Sequence, residues 1–311
     1  MKTLTIYPIN GLANRLMALI SAVRVATLTG YRLQVIWEKD QSCRAMLSDL
    51  FEADFDVISL EEFWKQNQAK KLTIVDANDA REKIPEFIDR NDLEIFRYDG
   101  LLILPHALFI RESILLVSHH FFFTEDDSNT FNSDRKRMAG LLSGEFSNFR
   151  PLPILRELAD AYSEPLRRGI GLHIRRTYPH ALTEEGLERE LTQWSFPSVD
   201  YYMNLLPVIR DRTGLDGKIY LSTNCKVTKS EVVTRLGEAN VLTYQARALD
   251  VSYSVAGIQD AVVDMISLSK APLIIRFNES TFSFFSAMLG GCHQAIVYRD
   301  GQTLLKGPLE Y

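Results

Sequence analysis

The segment Gly169-Ile170-Gly171-Leu172-His173-Ile174-Arg175-Arg176 carries the strongest chemical signal in the chain. Side chains in a strand alternate faces, so Ile170, Leu172 and Ile174 share one face and Gly171, His173 and Arg175 the other. An imidazole and a guanidinium thus emerge together, beside a glycine that leaves space for something bulky. The guanidinium keeps its charge at any ordinary pH, and its planar fork suits a diphosphate. A lone Arg-Arg pair at a strand end reads as solvated surface; His173 just before it turns the reading toward a ligand site.

A second signal is Glu279-Ser280-Thr281-Phe282-Ser283, directly before an apolar helix. Ser280 or Thr281 is a natural N-cap. The free N–H groups and the dipole at such a point also attract anions. Every helix needs a cap, so the weight comes from the motif's place after a strand. Ser222-Thr223-Asn224 stands in the same kind of place and supports the same argument with less force. Asp264 lies among Val262, Val263, Met265 and Ile266, where a carboxylate is costly unless paired or hydrogen-bonded. Guanine, with adjacent N1–H and N2–H donors, would satisfy it; a fold-stabilising hydrogen bond would do so equally well. Asn10-Gly11-Leu12-Ala13-Asn14-Arg15-Leu16 opens a first helix, with Asn14 and Arg15 in its first turn. It is neither a full Gly-x-Gly-x-x-Gly nor a Walker loop.

Other chemistries find no support. No Asp-x-Asp follows a strand in a setting for a metal-bound diphosphate, and neither His-Glu-x-x-His nor Gly-x-Ser-x-Gly occurs. His119-His120 reads as the end of a core strand, its two rings on opposite faces and so not joint ligands of a metal.

The elements that must position these residues follow from periodicity. Leu4–Tyr7 reads as a strand. Leu16, Leu19, Ile20, Val23 and Ala26 then mark an amphipathic helix that Gly30 stops, and Tyr31–Trp37 is a second strand. Further strands are expected at Leu72–Val75, Leu93–Tyr98 and Ile114–Ser118. Two prolines make 146–153 a passage between domains, dividing the chain into 1–150 and 151–311. In the second, apolar runs at Gly169–Arg175, Lys218–Ser222, Val241–Tyr244, Leu273–Phe277 and Ala295–Tyr298 alternate with helical patterns near Val199–Asp211, Lys226–Leu236, Gln259–Lys270 and Thr281–Leu289. The class is α/β with parallel sheets, and ligands of such sheets gather at the carboxyl ends of the strands.

Bulk properties narrow the function. A length of 311 residues fits two domains, and 46% hydrophobic with 24% charged residues is ordinary for a globular chain. With 35 Lys+Arg against 40 Asp+Glu the formal net charge is -5, which argues against nucleic acid as a partner. Cys43, Cys225 and Cys292 are scattered and odd in number, which reads as reduced thiols. The short apolar start ends at Pro8, no integral membrane segment is expected, and a cytoplasmic location follows as an expectation.

Together the motifs resemble the superfamily of α1,6-, α1,2- and protein O-fucosyltransferases, which includes the rhizobial nodulation fucosyltransferases. The match rests on Gly11-Leu12-Ala13-Asn14-Arg15-Leu16, on His173-Ile174-Arg175-Arg176-Thr177, and on the run from Gly257 to Gly291 with Asp264 and Ser280-Thr281-Phe282-Ser283. The resemblance implies a GT-B fold of two facing Rossmann-like domains, with 1–150 as the expected acceptor side and 151–311 as the nucleotide-sugar-binding domain. It also implies GDP-fucose as donor, a glycan-type acceptor, inversion at the anomeric carbon, and no metal or other cofactor. It gives Arg175 the diphosphate, with Arg176 as its supporting neighbour. His173 and Asp264 match the guanine-reading pair. Ser280, Thr281 and Phe282 match the loop at the β-phosphate, and Asn14 an N-domain residue facing the donor.

The chain departs from the family pattern in three places: Tyr178 follows Thr177 and Asn224 follows Ser222-Thr223, where relatives often carry Asp, and Arg276-Phe277-Asn278-Glu279 before Ser280 lacks the small residues often seen there. They bear on the sugar, the acceptor and catalytic competence. Two other readings therefore stay open: a transferase of another GDP-sugar, and a non-catalytic nucleotide- or glycan-binding protein on a degenerate scaffold. Glu184 and Glu185 are candidates for a general base by position alone.

Overall fold

The computed structural model describes residues 2–68, 71–76, 94–97, 102–176, 184–186, 188, 196–247 and 254–307. The chain divides into two compact units, Met1–Arg150 and Pro151–Tyr311.

In the first unit the strands are β1 (Thr3–Pro8), β2 (Arg32–Ile36), β3 (Phe51–Ala53), β4 (Asp56–Ile58), β5 (Thr73–Asp76), β6 (Glu94–Arg97), β7 (Leu102–Leu104), β8 (Ser113–Ser118), β9 (Phe122–Thr124) and β10 (Phe149–Pro151). Six of them form a parallel sheet in the order β4-β2-β1-β8-β5-β6. β7 and β9 form a small separate ribbon, as do β3 and β10.

The helix Leu12–Thr29 leaves β1 through Asn10, at φ 69°, and Gly11, and ends on Gly30 at φ 72°. Positive φ suits both residues, since Asn tolerates the left-handed region and Gly enters it freely. The helix was expected to be amphipathic. It is instead buried nearly all round, because the sheet covers one side and the Arg135–Phe146 helix and β9 cover the other. By length and mean hydropathy of 1.2 it could also cross a membrane, contrary to the sequence expectation that no stretch would reach that standard. With 72% of that window buried inside the unit, it serves here as a core helix.

In the second unit the strands are β11 (Ile170–Ile174), β12 (Ile219–Thr223), β13 (Val241–Leu242), β14 (Leu273–Phe277), β15 (His293–Val297) and β16 (Thr303–Lys306), in the order β13-β12-β11-β14-β15-β16. All pairings are parallel except β15 with β16, an antiparallel edge that the sequence reading missed. β16 is short and carries exposed Leu304 and Leu305, so it lacks the continuous apolar run of a buried strand.

The helices Val199–Thr213, Val255–Leu268 and Thr281–Gly290 each start on a serine, Ser198, Ser254 and Ser280, whose hydroxyl accepts a first-turn N–H. Ile170, Leu172 and Ile174 pack on one sheet face with Tyr202, Leu206, Ile209 and Val232. Tyr220 and Ile274 pack on the other with Leu268 and Ala287. Successive strands fan out to either side of β11, which makes its carboxyl end the switch point where such sheets bind ligands.

Candidate functional site

At the carboxyl end of this sheet the strand register sets three polar side chains in one row. His173 on β11 pairs with Ser222 on β12 and with Arg276 on β14. Two residues earlier the same face carries Tyr220, Gly171 and Ile274, apolar in their packing apart from the Tyr220 hydroxyl. A period of two therefore stacks a polar layer directly on a hydrophobic one. The space above Gly171 is filled by the protein itself: a Cβ there would lie 3.1 Å from Leu268 and 3.2 Å from Ile274. The expectation that this glycine makes room for a bulky ligand is therefore corrected. Its role is to let the Val255–Leu268 helix close on the sheet.

His173 is buried at 5% exposure. Its Nδ1 lies 3.3 Å from Ser280 Oγ, and its ring stacks on Phe282 at 5.2 Å between centroids. Burial, reinforced by the guanidinium charges of Arg175 and Arg276, pushes its pKa down to about 3. The imidazole therefore stays neutral at physiological pH and offers one donor and one acceptor. Ser280 caps the Thr281–Gly290 helix, so this contact ties the end of β11 to a helix N-terminus.

The adjacent arginines part ways. Arg175 is exposed and makes no hydrogen bond or ion pair with any described residue. Arg176 turns inward at 1% exposure, and its Nη1 donates to the Pro197 carbonyl at 3.2 Å. Its backbone is held by Asn224, which accepts from the Arg176 N–H at 2.8 Å and donates to the Arg176 carbonyl at 2.6 Å.

Asp264, on the Val255–Leu268 helix, sits beside this row. Tyr220 Oη donates to its Oδ1 at 2.6 Å and Ser222 Oγ to its Oδ2 at 3.1 Å. Burial raises its pKa to about 6, against the lowering effect of the two hydrogen bonds and of Lys229. Each carboxylate oxygen keeps a lone pair beyond those two bonds. The fold-stabilising hydrogen bond foreseen for Asp264 is present and leaves room for a further donor.

The structure thus brings His173 together with Ser280 and Phe282, and Ser222 together with Asp264, the two groups neighbouring each other through the His173–Ser222 strand register, with Arg175 two residues beyond His173. Thr223 is buried, and its Oγ1 accepts from the Cys225 N–H at 3.3 Å, shaping the turn after β12. Thr281 is the first residue of the Thr281–Gly290 helix. Asn14 belongs to the first unit, where its Nδ2 donates to the His119 carbonyl at 3.0 Å. Glu184 and Glu185 are exposed, while Thr177 and Tyr178 lie outside the described residues.

One exclusion argument is overturned. His119 and His120 follow the end of β8, in a bend, and their rings lie 4.5 Å apart instead of pointing to opposite faces. Alternation fails where the strand ends. Among the described residues no group of three or more His, Cys, Asp or Glu is placed to hold a metal ion.

Two residues were given no role by the sequence. Arg276, fully buried, donates from Nε to Gln294 at 2.5 Å and from Nη1 to the carbonyls of Phe277 and Asn278 at 3.2 and 3.0 Å, so it shapes the turn leading to Ser280. Asp260 binds the backbone N–H and the guanidinium of Arg247, which fixes the segment after β13. An arginine inside an apolar strand run was the available signal for the first.

No family model matches the sequence, and no curated protein matches it. Solved structures do. NodZ α1,6-fucosyltransferase co-crystallized with GDP shares 15% identity, with a TM-score of 0.57 over 100% of both chains. A variant of Arabidopsis thaliana FUT1 in complex with GDP shares 15%, with a TM-score of 0.58 over 96% of this chain and 71% of that one. POFUT1 in complex with GDP-fucose shares 10%, with a TM-score of 0.53 over 96% and 98%. The fold is that of the GT-B fucosyltransferases. At such identities the likeness speaks for architecture, and the chemistry must be argued from this chain's own residues.

Proposed function

We propose that this chain is a glycosyltransferase that moves fucose from GDP-fucose to a hydroxyl of a glycan-type acceptor, with inversion and without a metal ion. The observation that carries this reading is the meeting of β11 and β14 at their carboxyl ends. There the exposed Arg175 follows a neutral His173 that touches the N-cap of a helix. NodZ and POFUT1 in the GDP and GDP-fucose complexes have the same fold, which supports a guanine nucleotide as the ligand.

In this reading Asp264 accepts the N1–H and N2–H of guanine, and the neutral His173 supplies a further hydrogen bond. The diphosphate lies along Arg175 and the first turn of the Thr281–Gly290 helix. As the sugar leaves, the bond from C1 to the β-phosphate oxygen breaks and its electron pair stays on that oxygen. The acceptor oxygen forms the new bond to C1 from the opposite face and gives up its proton to a base. Oxocarbenium character develops on the sugar as in other glycosyl transfers. Charge growing on the leaving phosphate is met by a fixed guanidinium, a hydroxyl and helix N–H groups, the preorganised kind of donor that dominates many enzymatic rate enhancements. The three cysteines, all buried and free, suit the reducing cytoplasm.

Asn224 argues against the non-catalytic alternative at the position where that alternative found support. The amide there has a defined part in holding the Arg175-Arg176 turn. A thermal-shift panel of GDP, GDP-fucose, GDP-mannose and UDP-glucose, with and without chelator, tests the proposal. GDP and GDP-fucose should raise the melting temperature equally with EDTA present. A shift with UDP-glucose alone, or one abolished by EDTA, would defeat it.

A further inference from the structure

We infer that Asn224 is the positioning residue that presents Arg175 to a diphosphate, an inference that rests on the donor reading above. Asn224 follows β12, the neighbour of β11 on the side away from β14. Its planar carboxamide engages both backbone groups of one residue: Oδ1 accepts from the Arg176 N–H at 2.8 Å, and Nδ2 donates to the Arg176 carbonyl at 2.6 Å. This needs an acceptor and a donor side by side, which an amide has and an ionised carboxylate lacks. An aspartate would keep the first bond and set a negative oxygen against the Arg176 carbonyl. The amide at 224 is thus demanded by the local geometry.

The consequence falls on Arg175. Ile174 before it is the last residue of the β11 ladder, and Arg176 after it is held by Asn224 and by the Pro197 carbonyl. The backbone of Arg175 is therefore fixed from both sides while its side chain stays exposed. A cation on a fixed backbone gives up less freedom on gripping an anion, and that saving appears as affinity. Asn224 acts on the ligand only through this turn.

The test compares GDP with guanosine, which offers Arg175 no phosphate. Dissociation constants are measured by calorimetry for the wild type, for the isosteric Asn224→Asp and for Asn224→Ala. Ligand-free melts identify the folded variants, and either one suffices. The expected result is an about tenfold weaker GDP complex, the scale of one or two lost hydrogen bonds, with guanosine affinity within about twofold of wild type. Unchanged GDP affinity would overturn the inference. So would an equal loss for both ligands, the mark of general loosening. Wild-type protein that fails to bind GDP at all would defeat the donor reading and this inference together, whereas wild type and Asn224→Asp binding GDP alike defeats this inference alone.

Discussion

Each unit places arginine after its first strand, Arg15 in the first turn of the helix that follows β1 and Arg175-Arg176 directly after β11, and the two units use it in opposite ways. In the first, Arg15 is buried at 2% exposure and wholly occupied. It donates to the carbonyls of Asn10 and Glu38 at 2.8 and 2.6 Å, pairs with Asp40 at 2.8 Å and lies 5.3 Å from the Trp37 ring centroid. In the second unit the work is divided between neighbours. Arg176 turns inward and braces the loop, while Arg175 stays in solvent. An arginine at a strand end therefore signals a ligand only when the surrounding carbonyls and carboxylates do not already occupy it. Its fork satisfies backbone carbonyls as readily as phosphates.

Five substitutions probe this contrast, the largest effect first. Arg175→Ala should lower transfer from GDP-fucose by about a thousandfold or more, the scale of losing a preorganised charge at a leaving group. Its melting temperature should stay at the wild-type value, since the side chain is exposed. Retained turnover, or a large drop in melting temperature, would erase the distinction between Arg175 and Arg15.

Arg15→Met and Arg276→Leu should act on the fold, each lowering unfolding free energy in urea by roughly 3 kcal/mol as buried carbonyls lose their donors. Little change in either would mean that these guanidinium groups are less committed than their hydrogen bonds indicate.

A third prediction concerns pH. The folded-state pKa of Asp264 is raised to about 6, so the stability linked to its protonation is present at low pH and is lost as pH rises through 6. Guanine binding runs the other way, because only the carboxylate accepts both guanine donors. GDP affinity should fall by up to about tenfold for each pH unit below 6. Asp264→Asn should bind weakly and lose that slope, so an equal slope in the variant would remove Asp264 from the site. The smallest effect is expected for Asn14→Ala, about 1 kcal/mol of stability from the lost bond to the His119 carbonyl.

Much of this was legible in the sequence where one residue type meets one simple rule. Strand β14 was read at its observed limits, Leu273–Phe277, because its residues form an apolar run with a single arginine in it. A cap at Ser280 or Thr281 was legible because a hydroxyl residue before an apolar helix suits that place, and the structure puts it at Ser280. His173 and Arg175 were read together from strand alternation, but β11 ends at Ile174, so the rule reaches only His173, for which the contact to Ser280 now supplies the partner that alternation could not name.

What escaped depended on contacts between distant segments. Nothing local distinguishes Tyr220 from its apolar neighbours until Asp264, 44 residues away, receives its hydroxyl. Arg276 looked like an intruder in a strand until Gln294 on β15 and the turn carbonyls came into view. Gly171 was misread because an absent side chain leaves space without saying what fills it, and Leu268 does. The His119-His120 pair was misread because alternation was extended past the end of β8.

The most direct measurement is a calorimetric titration of GDP into wild-type protein and Arg175→Ala, both in EDTA. Tight binding by the wild type, with at least a tenfold loss in the variant, is the predicted result. Equal affinities, or wild-type binding that appears only when a divalent cation is restored, would contradict the account.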